Sequence, residues 1–252
     1  MFSIQKASAW NRIIAALFDF ILVAVLAVGV AFCLSAVLGY QSHFDRLEAR
    51  YAAIEEEYGV DFDIAISDYE NMSEEEKAKF LEADNAVKND AEAVYSYNML
   101  FSLSLIILTL SILIAFIALE FVVPLLFKNG QTLGKKIFGI AVMREDGVKV
   151  SPLLMFVRTV LGKYTLETML PVLIILMLYF GITDIMGTMI ILFIWLVQII
   201  MFIFTKAHAV IHDRLSHTLC VNFNTQKIFD SPEALIEYKT KLQAEIAEKA
   251  EY

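Results

Sequence analysis

The sequence has few cysteines and two long stretches without any charge. Its two cysteines in 252 residues fall at positions 33 and 220, in an apolar run and near the C-terminal end, so we expect no disulfide framework. Residues 20–44 and 93–119 contain no Asp, Glu, Lys or Arg. Charged side chains normally cover the surface of a soluble domain. Their absence over such lengths points to a membrane protein.

Signatures of enzyme active sites are also missing. The stretch GQTLGKKIFGIAV, residues 130–142, comes nearest to a nucleotide-binding loop. A P-loop needs four residues between its first glycine and a Gly-Lys pair, followed by Ser or Thr. Here three residues separate Gly130 from Gly134, and Lys136 stands where the hydroxyl should be. We therefore expect no nucleotide, no cofactor and no enzyme activity.

The apolar residues are numerous enough for several membrane spans. They make up 58% of the chain, and the mean hydropathy is +0.63; soluble domains are roughly 45–50% apolar. Since about 20 apolar residues cross the bilayer, we predict four spans, at residues 20–44, 93–119, from 164 or 169 to 182, and 185–204. The alternative is three spans, with residues 164–182 interfacial or re-entrant. The predicted fold is an all-α integral membrane protein.

The distribution of charge predicts the orientation. Lys6 and Arg12 precede the first acid, and residues 128–150 are rich in lysine, whereas residues 41–93 hold sixteen acidic and five basic residues. By the positive-inside rule, both termini and residues 128–168 lie in the cytoplasm, and the acidic insert, residues 41–93, lies outside. We predict a multi-pass protein of the cell membrane.

The acidic insert has the pattern of a helical hairpin. Apolar residues recur at spacings of three and four, as in a heptad; they are Phe44, Leu47, Tyr51, Ile54 and Tyr58. Ser73, with Glu76 three residues later, is typical of a capping box. We predict two helices that extend the first two spans and pair with each other. Ser231 and Pro232 likewise predict a helix within a cytoplasmic tail, residues 224–252.

Three charged residues fall inside or beside the first two spans, where charge is costly and marks a functional site by default. Asp19 follows Arg12 by seven residues, which is about two helical turns, so both share one face. Asp19 and Glu120 reach a similar depth in neighbouring helices, where they could share a proton or hold a cation. The alternative is that each pairs with a nearby arginine and only locks the helices together.

The segment after the second span favours a β-hairpin on the cytoplasmic side. Residues 136–143 alternate in polarity, 144–147 fit a turn and 148–151 return. From Pro152 the pattern predicts a short amphipathic helix in the plane of the interface. Arg158 on that helix could reach toward Asp19 and Glu120 as a counter-charge.

Three of the four histidines lie in residues 206–221, KAHAVIHDRLSHTLCV. If this stretch is helical, His208 and His212 share a face that suits a metal. It has no CxxC or HExxH pattern to supply further ligands. We interpret it as a polar turn beside the membrane and keep the two histidines as weak metal candidates.

These features together resemble the RDD family of membrane proteins, which is named for one Arg and two Asp. Arg12 and Asp19 match the Arg and Asp of the family's first helix. The most specific match is the family loop, residues 130–135, which reads Gly130, Gln131, Thr132, Leu133, Gly134 and Lys135.

The rest of the chain matches the family at scattered positions. Arg158 corresponds to an Arg usual after the hairpin, and His212, Asp213 and Thr218 correspond to a late motif that supplies the second Asp. The resemblance covers residues 8–223. The acidic insert is longer than the family needs, and the tail helix is an addition.

The resemblance implies transport of a ligand that is not identified. We predict transport of a cation or small solute, with proton coupling as one form of it, by this protein as the transporter or as a subunit of one. Asp19 and Glu120 would carry the proton or cation, and Arg12 or Arg158 would tune them; Asp213 is a further candidate. Four spans make a thin pathway, so we expect a homo-oligomer in the lipid bilayer and no nucleic-acid partner. The alternative is a membrane scaffold or accessory subunit that recruits partners through its insert and tail.

Overall fold

The fold is known from a computed structural model, which describes residues 4–205 and 207–250. Within those residues, four helices are long and apolar enough to cross a membrane. They are α1 (Ala9–Val37), α5 (Ala91–Phe127), α7 (Pro152–Tyr179) and α8 (Ile185–Phe204). The predicted all-α membrane architecture is confirmed, together with a small two-stranded sheet.

The third span begins earlier than the sequence predicts. Residues from Pro152 do not form a separate interfacial helix; they are the first turns of α7. A π-helical stretch, Val157–Met169, joins this start to the apolar end of the helix. The prediction of a separate interfacial helix was therefore wrong, because Arg158 and its charged neighbours give the start of this long helix the pattern of an amphipathic surface helix.

Two of the long helices change their hydrogen-bond spacing just before an internal proline. In α5 the π-helical turn Ile117–Val122 immediately precedes the segment that contains Pro124, and in α7 the long π stretch precedes the segment that contains Pro171. Proline lacks an N–H group, so a helix with i→i−4 bonds is left with an unpaired carbonyl there. In both helices the unpaired carbonyl therefore falls where the hydrogen bonds change from the π-helical i→i+5 spacing to the α-helical i→i+4 spacing.

The chain divides into two compact units, formed by residues 28–111 and by residues 1–27 with 112–252. The first of these contains α2 (Tyr40–Tyr58), α3 (Ile66–Asn71) and α4 (Glu74–Asn89). As predicted, α2 packs against α4, with a core of Ile54, Ala83, Val87 and Ala93. The capping box also forms: the Ser73 hydroxyl accepts from the Glu76 N–H, and Glu76 accepts from the Ser73 N–H.

In the other unit, the loop after α5 leads through α6 (Leu133–Ile137) to strand β1 (Ile140–Arg144). The predicted β-hairpin is wrong in its pairing. β1 pairs antiparallel with β2 (Thr218–Asn222), so that Val142 faces Cys220. Residues 144–148 do make the predicted turn, but the returning segment pairs with β1 only through a single bridge between Met143 and Lys149.

The sheet gathers distant parts of the chain at one end of the spans. The N-terminal segment bridges to β2 through Lys6 and Val221. The short helix α9 (Ile211–Leu215) leads into β2. The tail helix α10 (Pro232–Ala250) starts at the predicted Ser231 cap and packs Leu235 on Val148 and Phe229. The sequence positions that resemble the RDD family therefore lie around this sheet.

Candidate functional site

Asp213 is held between two arginines from different helices. Its Oδ2 lies 2.6 Å from Nη2 of Arg12 on α1, and its Oδ1 lies 2.5 Å from Nη1 of Arg158 on α7. The Asp213 side chain is 0% exposed, and the side chains of Arg12 and Arg158 are 8% and 3% exposed. Burial opposes ionisation, but Arg158 and Arg12 together hold the pKa of Asp213 well below its usual range. The Arg and the second Asp of the family pattern thus form one ion-pair centre.

Asp19 does not pair with Arg12, although the two share the helix face that the sequence predicts. Arg12 instead donates to Asp213 and to the carbonyl of Ala207, 2.8 Å away. Asp19 turns to the family loop, where Oδ1 accepts from the N–H of Gly134 at 2.7 Å and Oδ2 accepts from the Thr132 hydroxyl. The first Asp therefore anchors the loop to α1.

The glycines of the family loop are explained by this close approach. A Cβ on Gly134 would lie 2.5 Å from the carbonyl oxygen of Ala15 and 2.9 Å from Oδ1 of Asp19. Gly130 has a φ of +62° and faces Val142, whose Cβ would be 2.9 Å from an added Cβ. Both positions exclude a side chain, so the glycines serve packing and turn geometry rather than phosphate binding.

The polar residues of the family loop complete the connection. Gln131 donates from Nε2 to the carbonyl of Ile140 on β1 at 2.8 Å. Thr132 caps α6 by accepting from the N–H of Lys135, and Lys135 places Nζ 3.2 Å from the same hydroxyl and 4.0 Å from Oδ2 of Asp19. The loop thus ties α5, α6 and β1 to α1.

Glu120 has a separate partner. Lys163 of α7 places Nζ 2.5 Å from Oε2 of Glu120, and Thr159 donates to the Glu120 carbonyl at 2.9 Å. No direct contact between Asp19 and Glu120 is present among the described residues; Lys135 interacts electrostatically with both carboxylates. Burial and the like charge of Lys163 lower the pKa of Lys135, which lies outside the spans.

His212 links a third acid to this group. Its backbone N–H and its Nδ1 lie 2.8 Å from the two carboxylate oxygens of Glu167, and its Nε2 lies 3.5 Å from Oδ1 of Asp213. Burial lowers the pKa of His212, so the ring is neutral at pH 7. Gly162 makes the approach possible, because an added Cβ would lie 2.5 Å from Cβ of His212.

The two histidines kept as metal candidates, His208 and His212, do not share a helix face. His208 lies outside any helix with a φ of +51°, and its Nδ1 is 3.0 Å from the carbonyl of Phe202. His212 lies in α9 and bonds to Glu167. In the part of the chain that the structure describes, no group of three His, Cys, Asp or Glu side chains is arranged to hold a metal ion.

Arg158 also differs from its prediction. It does not reach toward Asp19 or Glu120 as a paired counter-charge; it bonds to Asp213, to the Thr218 hydroxyl and, at 3.7 Å, to Sγ of Cys220. Its partners lie on α9 and β2, in a segment that we interpret from the sequence as a polar turn beside the membrane.

Sequence reasoning missed Lys163 and Glu167 as site residues. Arg158, Lys163 and Glu167 all lie in the π stretch of α7, and Glu120 lies in the π turn of α5. The i→i+5 spacing brings residues 158 and 163 closer to one face than α-helical spacing does, and π turns are frequent at functional sites. The signal in the sequence was a set of charged residues spaced by four or five.

We call the full set the charge network. It consists of Arg12, Asp19, Glu120, Lys135, Arg158, Lys163, Glu167, His212 and Asp213. With His212 neutral, its four basic and four acidic groups balance in formal charge.

Two cavities reach this network. The basic cavity, of about 210 Å³, is lined by Arg12, Lys135, Arg158, Lys163, His212 and Glu167, with several apolar residues. The lateral cavity, of about 620 Å³, has apolar walls that include Phe20, Phe116 and Trp195 and a polar end at Glu120, Lys163 and Glu167. Lys163 and Glu167 line both cavities. A small molecule in the lateral cavity would therefore meet the network directly.

Comparison with known proteins supports the resemblance drawn from the residues. No curated protein and no solved structure matches the chain. A sequence model described as the RDD family matches residues 6–217, which is most of the chain. That range contains the family loop, both arginines of the ion-pair centre, and Asp19 and Asp213. The chain therefore belongs to the RDD family.

Proposed function

We propose that this RDD family protein transports a small solute across the membrane and couples that movement to protons. The observation that carries the proposal is the charge network, buried among helices long enough to span a membrane and open to two cavities. Ionisable groups are expensive at such positions and, by default, mark a transport or relay site.

A small polar solute fits the geometry better than a bare cation. A cation site needs carboxylates with oxygen atoms to spare, and each acid of the network already has a basic or histidine partner. At Asp213, Asp19 or Glu120, a metal ion would have to displace a lysine or arginine. Each displaced group would remain buried without a counter-charge, at a cost of several kcal/mol.

We assign the proton-carrying role to Glu167 and His212 rather than to Asp19. Glu167 lines both cavities, and His212 bridges it to Asp213. A neutral imidazole next to a carboxylate can accept a proton from one side and pass one to the other. Asp19 is occupied by the family loop, so its replacement would act on folding first.

The orientation and assembly belong to the same proposal. We propose a cell-membrane location with both termini and the family loop in the cytoplasm and the acidic insert outside, on the basis of the positive-inside rule. We also propose a homo-oligomer, because four spans enclose little space by themselves.

The test is a proteoliposome assay with a trapped pH dye. An imposed solute gradient, with Na⁺, K⁺ and Li⁺ salts and small organic acids and amines compared, should move protons in wild type. Glu167→Gln should abolish the movement while the protein elutes as a folded species. Glu92→Gln is the matched control, because Glu92 is exposed at the start of α5, away from the network.

A flat response from folded wild-type protein to every solute would overturn the transport proposal. The scaffold alternative would then stand, with the exposed acidic helices α2 and α4 as the recruiting surface. Crosslinking from α4 would be the next measurement.

A further inference from the structure

The charged side chains that line the basic cavity are mostly basic, although the charge network around it balances in formal charge. Four basic side chains line it, Arg12, Lys135, Arg158 and Lys163, but Glu167 is the one acid among its lining residues in the described part of the chain. Asp19, Glu120 and Asp213 contact the basic side chains and do not line the cavity. The charged groups that a solute inside would meet are therefore mostly basic.

These cations have hydrogen-bond donors left over. An ammonium group has three donors and a guanidinium has five. Within the described residues, Nζ of Lys163 donates one hydrogen bond, to Glu120. Nζ of Lys135 donates one, to the hydroxyl oxygen of Thr132 at 3.2 Å. Among the same residues, Nη2 of Arg158 has only the thiol of Cys220, at 3.7 Å. Thiol sulfur is a weak acceptor, so this corner offers several strong donors to an incoming anion.

Besides Gln198, His212 and Cys220, the other uncharged residues that line the basic cavity are apolar. Ile13 and Phe202 line the same cavity, and Ala16 lines both cavities. The space of about 210 Å³ holds several water molecules or a few carbon and oxygen atoms. A purely inorganic anion would leave this apolar wall without a partner, whereas a short aliphatic chain would cover it.

We propose that the basic cavity binds a short-chain monocarboxylate as the solute. The carboxylate lies among Lys135, Lys163 and Arg158, and the alkyl end lies toward Ile13 and Phe202. Entry is through the lateral cavity, which shares Ala16, Lys163 and Glu167 with it. This inference rests on the proposed function and names its solute class.

Several observations favour an anion there. Burial and then the like charges of Lys163 and Arg158 lower the pKa of Lys135, so a negative charge in the cavity would relieve repulsion that the protein otherwise retains. Arginine and lysine donors make charge-assisted bonds to carboxylate that are about twice as strong as neutral ones. An amine of the same size would face the same cations and be repelled.

The test measures binding rather than flux, so its failure can be told apart from failure of transport. Purified protein in detergent would be titrated with [1-¹³C]propionate, and line broadening and calorimetric heat would be recorded. Propionamide and propylamine, of similar size but neutral and cationic, are titrated in parallel. Saturable binding of propionate alone is the expected result.

A matched pair of variants locates the site. Lys135→Gln should weaken propionate binding by at least about tenfold, since it removes a charge-assisted donor. Lys136→Gln, next to it on α6 but exposed, should change binding by less than about twofold. If Lys135→Gln fails to fold, the comparison of propionate with propionamide decides.

Three outcomes would overturn the inference. Propionamide or propylamine binding as tightly as propionate would exclude anion recognition. Chloride displacing propionate at equal concentration would show that any small anion suffices and that the alkyl wall has no role. Absence of saturable propionate binding to folded wild type would exclude a short-chain monocarboxylate as the solute and would leave the transport proposal to its own test.

Discussion

At the scale of single residues, the charge network depends on the carboxylate of Asp213, which is paired with two buried arginines. Asp213 is 0% exposed and lies within 2.6 Å of two guanidinium groups. Removing one member of a buried charged group leaves the others without compensation. The family pattern of one Arg and two Asp therefore describes residues whose loss acts on stability before it acts on any transported solute.

Asp213→Asn should lower the free energy of unfolding by about 3–5 kcal/mol, because Arg12 and Arg158 remain buried and positive. The measurement is chemical or thermal unfolding in detergent, followed by circular dichroism. Asp230→Asn serves as the control: Asp230 also pairs with a basic residue, Lys149, but its side chain is 80% exposed. A control as damaging as Asp213→Asn would contradict the ion-pair assignment.

His212 should make stability depend on mild acid. Burial lowers the pKa of His212, outweighing the attraction of Glu167 and Asp213. The unfolded chain therefore binds a proton at this site at a higher pH than the folded protein does. Its contribution is fully present above about pH 6.5 and is lost as pH falls below that value.

The measurement is the difference in unfolding midpoint between wild type and His212→Asn from pH 8 to pH 5. Wild type should lose more stability than the variant over the acid half of that range. A difference that is constant with pH would show that His212 does not titrate between the folded and unfolded states.

At the scale of elements, the family loop and the π-helical stretches determine how the spans meet. The loop bonds to α1 through Asp19 and to β1 through Gln131. The π stretch of α7 carries Arg158, Lys163 and Glu167 to α9 and α5. Each of these elements supplies partners for charged side chains on another helix, so neither would have paired charges without the others.

Gly134→Ala tests the close approach of the loop to α1. The new Cβ would lie 2.5 Å from the Ala15 carbonyl oxygen, so the loop must move away, and we expect a loss of about 1–3 kcal/mol. Gly29→Ala is the control: Gly29 lies inside α1 with no atom within 4 Å of an added Cβ, so the change should be neutral or stabilising by about 0.4–1 kcal/mol. Equal melting temperatures of the two variants would be the contradicting result.

The sequence predicts some elements well for a physical reason. Patterns formed by neighbouring residues can be recognised in the sequence. They include the charge-free stretch of α5, the apolar run of α8 and the Ser73 cap. The start of α7 was missed because Arg158, Lys163 and Glu167 have the pattern of interfacial charges. Their partners are remote in sequence; they are Asp213, Glu120 and His212. Hydropathy scores each charge by itself and does not include its pairing with a residue far away in the sequence.

The sheet was missed in the same way. β1 alternates in polarity as a strand should, but its partner β2 lies about 80 residues later in the chain. A nearby return segment, residues 148–151, looked equally suitable. Pro152 begins a helix immediately after it, which leaves no room for a full partner strand.

At the scale of the whole molecule, the chain has an acidic unit and a charge-balanced network in two separately compact parts. The positive-inside rule predicts that residues 41–93 lie outside and that the C-terminal tail, residues 224–252, lies in the cytoplasm. Asn71→Cys, in the acidic insert, should therefore react with a membrane-impermeant maleimide added to intact cells. Lys227→Cys, between β2 and α10, should react only after permeabilisation. The native cysteines give the background, since Cys220 is buried and Cys33 lies within α1.

The reverse labelling pattern would place the charge network on the outer side and overturn the orientation. Equal labelling of both sites in intact cells would point to leaky cells, so a cytoplasmic marker protein must be probed in the same sample.

The link between Arg12 and Asp213 has a consequence for how the protein is made. These residues are separated by 201 positions, and a ribosome adds about 5–20 residues each second. For on the order of ten seconds or more after the first helix is made, the Arg12 guanidinium therefore still lacks the Asp213 carboxylate. A segment made late thus neutralises one made early, so a chain that stops before residue 213 keeps Arg12 without its carboxylate partner, and quality control can recognise that unpaired charge.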